Sequence, residues 1–278
     1  MSPKTSDDST SVLPERGKMR GSDWGVLVAV PIAAFAFGLL GNASAEEAGA
    51  KAKLKSMAEY LGAQKTLSAK YDTDLEVITP ALEKITFSSS GEVLLSRPDK
   101  LHASRTGGYA DVELFFDGKV FTLYGKYANG FVQTDAPGTV DNLIDVLREK
   151  YHAGLPFADL LLSNPYEVLT DGVLEAKDIG RGIIDGIECE HLAFRNSDID
   201  WQIWVQLEPN PIPRQYIITS KTVAGAPQYR IHITDWKTDV APNANMFAFK
   251  APDGAKHLSA DAMKEFDELP PPAEAKGN

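Results

Sequence analysis

The chain has 278 residues, 28 Lys and Arg against 39 Asp and Glu, a net charge of −11 and 43% hydrophobic residues. That balance suits a globular protein with a real core in one large or two small domains. It excludes partners that demand clustered Lys and Arg, nucleic acid and anionic membrane surfaces among them. The single cysteine, Cys189, rules out an internal disulfide, so an exported form is held by its core and hydrogen bonds alone.

The chain opens on an address. Lys18, Met19 and Arg20 precede an apolar run from Trp24 to Leu40 and then Ala43-Ser44-Ala45, the pattern of a secretory signal cleaved after Ala45. A transmembrane anchor is the rival, but Gly25, Pro31, Gly38 and the small-residue exit favour cleavage. No cysteine follows the apolar run, which excludes lipobox acylation, and the polar residues 1–17 point to translation beginning at Met19. Removing residues 1–45 takes away four basic and four acidic residues and leaves the charge at −11. The expectation is a periplasmic protein with no stable membrane insertion after cleavage. Residues 46–268 then form one domain, and the proline-rich residues 269–278 a disordered tail.

From Glu46 to Gln64 the apolar residues Leu54, Met57 and Leu61 recur at helical spacing among lysines and glutamates, so one face must be buried. Packing across a curved sheet is the simplest way to bury it. From Leu67 the period becomes two: Tyr71, Thr73, Leu75 and Val77 alternate with Asp72, Asp74 and Glu76, a strand with one wet face. Further strands are predicted at 84–89, 92–97, 100–105, 111–116 and 119–124.

Asp117-Gly118 supplies the positive φ angles of a two-residue hairpin turn. Pairing Phe116 with Lys119 puts Val112, Leu114, Phe116, Phe121 and Leu123 on one apolar face, and Phe115, Thr122 and Tyr124 on the other. A helical interlude follows, carried by Val140, Leu143, Ile144 and Leu147, with a second segment from Pro156 to Leu162 that Asn164 and Pro165 end. Strands resume at 173–178, 186–195, 199–207, 212–223 and 228–238, with a short one near Phe247–Lys250.

The stretch Gly186–Leu207 concentrates reactive and aromatic side chains: Cys189, His191, Trp201 and Trp204. Cys189 and His191 share one strand face and so could share a metal, but two ligands are not a site; a third would have to come from His232 or a carboxylate. Neighbours at i and i+2 are poorly placed for thiolate and imidazole to face each other, which argues against nucleophilic catalysis. The bland reading is a small buried thiol beside a hydrogen-bonded histidine. An even-length turn places Arg195 opposite Asp200, Phe194 opposite Trp201, Leu192 opposite Ile203 and His191 opposite Trp204; an odd one scatters them. Gly180, Gly182 and Gly186 lack both the spacing and the following helix of a dinucleotide site and are read as turn formers. No P-loop, H-E-x-x-H or G-x-S-x-G sequence is present, and no cofactor is called for.

Signal peptide, helix, strands, helical interlude and more strands together resemble the periplasmic lipoprotein carriers of the LolA and LolB type. Ser96-Arg97-Pro98-Asp99-Lys100-Leu101, Asp117-Gly118-Lys119, and Leu155-Pro156 with Leu160-Leu161-Leu162 are similar to segments of those carriers. A family of predicted periplasmic proteins of unknown function within that superfamily is resembled more closely. The likeness lies in Asp185-Gly186-Ile187-Glu188-Cys189-Glu190-His191-Leu192-Ala193-Phe194-Arg195 and Asp200-Trp201-Gln202-Ile203-Trp204. It continues through Pro213-Arg214, Ile217-Ile218-Thr219 and Ala226-Pro227-Gln228-Tyr229, and covers about residues 48–255.

The resemblance implies a mainly β (α+β) fold, an open antiparallel half β-barrel with helices on or near its concave face. It carries over no catalytic residue. The expected function is binding of a lipid, acyl chain or lipoprotein moiety, without chemistry. The cavity is expected to be lined by Val112, Leu114, Phe116, Phe121, Leu123, Phe194, Trp201, Ile203 and Ile218. The alternative is a sensor or interaction module of the same fold that takes a periplasmic protein partner, and the third reading is a hydrolase or metal enzyme using Cys189 and His191.

Overall fold

The computed structural model describes residues 38–151, 157–260 and 262. Residues 24–37 of the apolar run expected to act as an export signal, Leu155-Pro156 and the tail 269–278 lie outside these residues. Helix α1 (Gly38–Ala63) leads into β1 (Thr66–Ile78), β2 (Lys84–Ser96), β3 (Lys100–Gly107), β4 (Asp111–Phe116), β5 (Val120–Gly125) and β6 (Gly130–Asp135). Helix α2 (Val140–Tyr151), a helical turn at Ala158–Leu161 and α3 (Pro165–Thr170) form the interlude. β7 (Glu175–Ile184), β8 (Ile187–Arg195), β9 (Ile199–Gln206), β10 (Ile212–Ser220), β11 (Gln228–Thr238) and the two-residue β12 (Lys256–His257) complete the fold.

The strands form one sheet in the order β12-β6-β5-β4-β3-β2-β1-β11-β10-β9-β8-β7, antiparallel except for the β12–β6 pair. At strand spacings of about 4.8 Å, a flat sheet of this width spans roughly 50 Å. Yet Phe116 and Phe121 on one limb and Phe194 and Trp201 on the other belong to one buried cluster, with α1 and α2 between them. The sheet is therefore curled into an open half-barrel around the helices, the mainly β architecture expected from the sequence.

The expected register of β8 and β9 is borne out pair for pair: Arg195 with Asp200, Phe194 with Trp201, Leu192 with Ile203, His191 with Trp204. The β4–β5 hairpin differs. Phe116 pairs with Phe121, not Lys119, because the Asp117 carboxylate accepts from the backbone N–H of Lys119 and Val120 and draws the turn into a longer loop. The shift is even, so the faces stay as derived. Phe115 and Tyr124 on the opposite face, together with Phe131, are covered by Phe249 at 5.0–5.5 Å between ring centroids.

Other boundaries moved for identifiable reasons. Pro165 does not end a helix; it begins α3 as the first-turn proline whose missing N–H costs nothing there. Gly180 and Gly182 lie inside β7, not in a turn: the ladder slips between Asp178 and Gly180, with Gly180 at φ +104°, and Gly182 lies under the Trp204 indole, where a Cβ would come within 2.9 Å of Nε1. The strand expected near Phe247–Lys250 is instead a helical turn at Ala244–Phe247, and β6 carried too short a pattern to be recognised.

Candidate functional site: the concave face

The helix-facing side of the sheet is built by the two-residue alternation of its strands. Leu67 and Ala69 of β1, Val93 and Leu95 of β2, Leu101 of β3, Phe116 of β4, Phe121 of β5, Ile203 of β9 and Ile231 of β11 form a continuous apolar wall. Against it α1 sets Ala50, Leu54, Met57 and Leu61, each 0% exposed. α2 adds Val140, Leu143, Ile144 and Leu147, and the following turn adds Leu160 and Leu161. The helices fill the concavity.

All nine residues expected to line a cavity lie on this side or pack against its core. Phe116, Phe121, Phe194, Trp201 and Ile203 are fully buried in the main cluster; Leu114, Leu123 and Ile218 are partly buried against it. Val112 sits at one end with Ala110 and Val132, under Leu258 and Ala262. The fold thus brings together two groups that the sequence could place only on separate hairpins, and sets the helices between them. Phe194 and Trp201 stack at 4.0 Å and 13°, and the Trp201 indole N–H donates to Asn196 Oδ1 at 3.2 Å.

Polar contacts at the edges hold the closure. Arg97 Nε donates to the Gln64 carbonyl at 3.1 Å and Nη2 to the Leu162 carbonyl at 2.9 Å, joining the end of α1 and the end of the Ala158–Leu161 turn to the β2–β3 turn. Burial pushes the Arg97 guanidinium below its ordinary pKa, with Asp141 pulling the other way. The N–H of Val140 donates to the Pro98 carbonyl at 2.9 Å, and Thr139 and Asn142 cap α2 reciprocally. Asp141 accepts from the Ser163 N–H, and Arg148 donates to Asp159 at 2.6 Å. α1 is held separately: Lys53 Nζ lies 2.6 Å from both Asp178 on β7 and Glu190 on β8. Burial works to lower the Lys53 pKa, but the hydrogen bonds to those two carboxylates outweigh it and raise it. The clasps made by Arg97 and Lys53 were not legible in the sequence, because their partners lie far along the chain.

Cys189 and His191 occupy the opposite, outer face. The Cys189 thiol is 2% exposed and contacts the Ile187 carbonyl at 3.6 Å; burial pushes its pKa up. His191 stacks on Trp204 at 4.0 Å and bonds Gln202 Oε1 at 2.8 Å. His232, the third ligand considered, is engaged with Asp185 at 2.6 Å. Among the described residues no group of three His, Cys, Asp or Glu side chains is arranged to hold a metal ion.

Fold and site together define a half-barrel protein whose apolar concave face is closed by its own helices, the class implied by the resemblance to the lipoprotein carriers. The chain belongs to the family described as "Predicted periplasmic protein (DUF2092)", whose profile matches residues 50–260. No curated protein matches it. Among solved structures it is similar to the Mycobacterium tuberculosis lipoprotein LppX, with 11% identity, 70% of this chain and 98% of that chain covered and a TM-score of 0.36. It is also similar to LprF from Mycobacterium bovis, with 13% identity, 71% and 97% covered and a TM-score of 0.43. A third is a LolA superfamily protein from Nitrosomonas europaea, with 10% identity, 72% and 97% covered and a TM-score of 0.30. No helix among the described residues is long and apolar enough to cross a membrane.

Proposed function

We propose that this protein, exported to the periplasm and cleaved after Ala45, binds a lipid, an acyl chain or the lipid moiety of a lipoprotein on its concave face, without chemistry. Cleavage there falls within α1 and keeps every buried apolar residue from Ala50 to Leu61. The observation that carries the reading is that α2, a twelve-residue amphipathic helix, covers the apolar wall with four aliphatic side chains, while its polar contacts lie at its ends. Burying an aliphatic side chain stabilises by about 1.5–3 kcal/mol, so the four contribute roughly 6–12 kcal/mol. An acyl chain of about 10–14 methylenes, at roughly 0.8 kcal/mol each, contributes a similar amount against the same wall. Exchange of α2 for an acyl chain is therefore close to balanced, while α1, clasped by Lys53, stays in place.

Native mass spectrometry with lipid extraction, on protein purified from periplasm, tests the reading. An acyl-bearing adduct supports it; a bare mass, with no saturable binding of a fluorescent fatty acid, overturns it. The filled concavity favours a second reading, an interaction module for a periplasmic protein, for which Leu82, Ile85 and Tyr109 offer exposed apolar contacts. In-cell crosslinking that yields a reproducible protein adduct without lipid selects it.

A further inference from the structure

On the outer face, away from the helices, lies a hollow of about 350 Å3. Its floor is the sheet. Asp72 of β1 sits opposite His232 of β11, Asp74 sits opposite Arg230, and Gln215 of β10 flanks His232 on the other side. Its wall is the tip of the β7–β8 hairpin, Ile183, Ile184 and Asp185. Since β9 and β10 separate that hairpin from β11 in the sheet, the tip must curl across two strands to reach His232. The 2.6 Å contact between His232 Nε2 and Asp185 Oδ2 fixes it there. The tip does not pack down onto the sheet: Ile183 stays 64% exposed at the rim, and a Cβ added to Gly186 would meet nothing within 4 Å.

Two of the carboxylates facing this space are oriented from outside it. Ser90 donates to Asp72 at 2.5 Å and Ser88 to Asp74 at 2.6 Å, which fixes both carboxylates from the β2 side. The Arg230 side chain makes no hydrogen bond or ion pair among the described residues. Arg230 also acts electrostatically on Glu76, whose carboxylate is already engaged by Lys84 at 2.9 Å and by the Gln228 N–H. Three carboxylates against one open guanidinium repel a simple anion, and a simple amine leaves the guanidinium unused. A planar fork of N–H donors pairs best with a carboxylate or phosphate. The volume falls in the range of small-molecule sites, about 300–1,000 Å3.

We propose that this outer basin is a binding site for a small zwitterion, its ammonium held among Asp72, Asp74 and Asp185 and its oxyanion on Arg230. His232 is a positioning residue that holds the hairpin wall in place through Asp185. The site is independent of the concave face and of what that face binds.

Isothermal titration of the folded protein with O-phosphorylethanolamine and 4-aminobutyrate, against ethanolamine and inorganic phosphate, tests it; the two zwitterions separate a phosphate from a carboxylate preference. At least one zwitterion is expected to bind about ten-fold more tightly than either singly charged probe, a difference of about 1.4 kcal/mol. Arg230→Gln, at an exposed position, is expected to leave the melting temperature unchanged and erase that preference. No saturable binding by either zwitterion, or undiminished preference in R230Q, overturns the proposal.

Discussion

Arg97 and Leu162 are 65 residues apart, yet the Arg97 guanidinium donates to the Leu162 carbonyl at 2.9 Å while its Nε holds the Gln64 carbonyl. One half-buried side chain thus fastens the first helix and the interlude to the same turn of the sheet. Replacing it by Met removes two charge-assisted bonds and leaves two carbonyls without their partner, at a cost of about 2–3 kcal/mol. Arg97→Met is expected to melt several degrees lower and to take up more fluorescent fatty acid than the wild type; differential scanning fluorimetry and a dye titration measure the two effects.

The two stacked pairs on β8 and β9 differ in what surrounds them. Phe194 against Trp201 is core, whereas His191 against Trp204 is a half-exposed outer-face pair. Phe194→Ala is expected to cost about 3–5 kcal/mol, as large-to-small core changes do, and His191→Ala no more than about 1 kcal/mol. Urea denaturation of both variants tests the assigned faces: similar losses for the two contradict them.

His102 makes stability depend on pH. It stacks on Phe115 at 4.6 Å, and burial holds its pKa below the ordinary 6.5, against the opposing pull of Glu113 and Glu92. Below pH 6.5 the unfolded chain binds a proton that the native state refuses, so this contribution is complete above 6.5 and is lost as pH falls toward the folded value. The urea midpoint of wild type is expected to drop between about pH 7.5 and about pH 5.5 by more than that of His102→Gln. Equal drops remove His102 from the account.

Cys189 is buried with a raised thiol pKa. A thiol of this kind is inert toward electrophiles. Iodoacetamide is expected to label it slowly in the native protein and rapidly in denaturant. Rapid native labelling contradicts the placement and revives a nucleophilic role.

How much of this was legible in the sequence follows from the range of each interaction. The β8–β9 register could be derived because four cross-strand pairs, from Arg195–Asp200 to His191–Trp204, agree on one alignment within a few residues of chain. The face of the β4–β5 hairpin was legible, but its loop was not, because the Asp117 side chain decides the turn. The filling of the concavity was not legible: Leu54, Met57 and Leu61 declare a buried stripe without naming the surface that buries it. The clasps Lys53 with Asp178 and Glu190, and Arg97 with Leu162, join segments whose proximity only the closed sheet creates. The outer basin was missed for the same reason, since Asp72, Asp185 and His232 come together only when the β7–β8 tip curls across two strands.

Hydrogen–deuterium exchange with and without palmitate reads out whether an acyl chain takes the place of α2 on the concave wall. Palmitate is expected to speed exchange of the backbone amides of α2, Val140–Tyr151, while those of α1 between Ala50 and Leu61 keep their protection. Unchanged or slower exchange in α2 at saturating palmitate contradicts it.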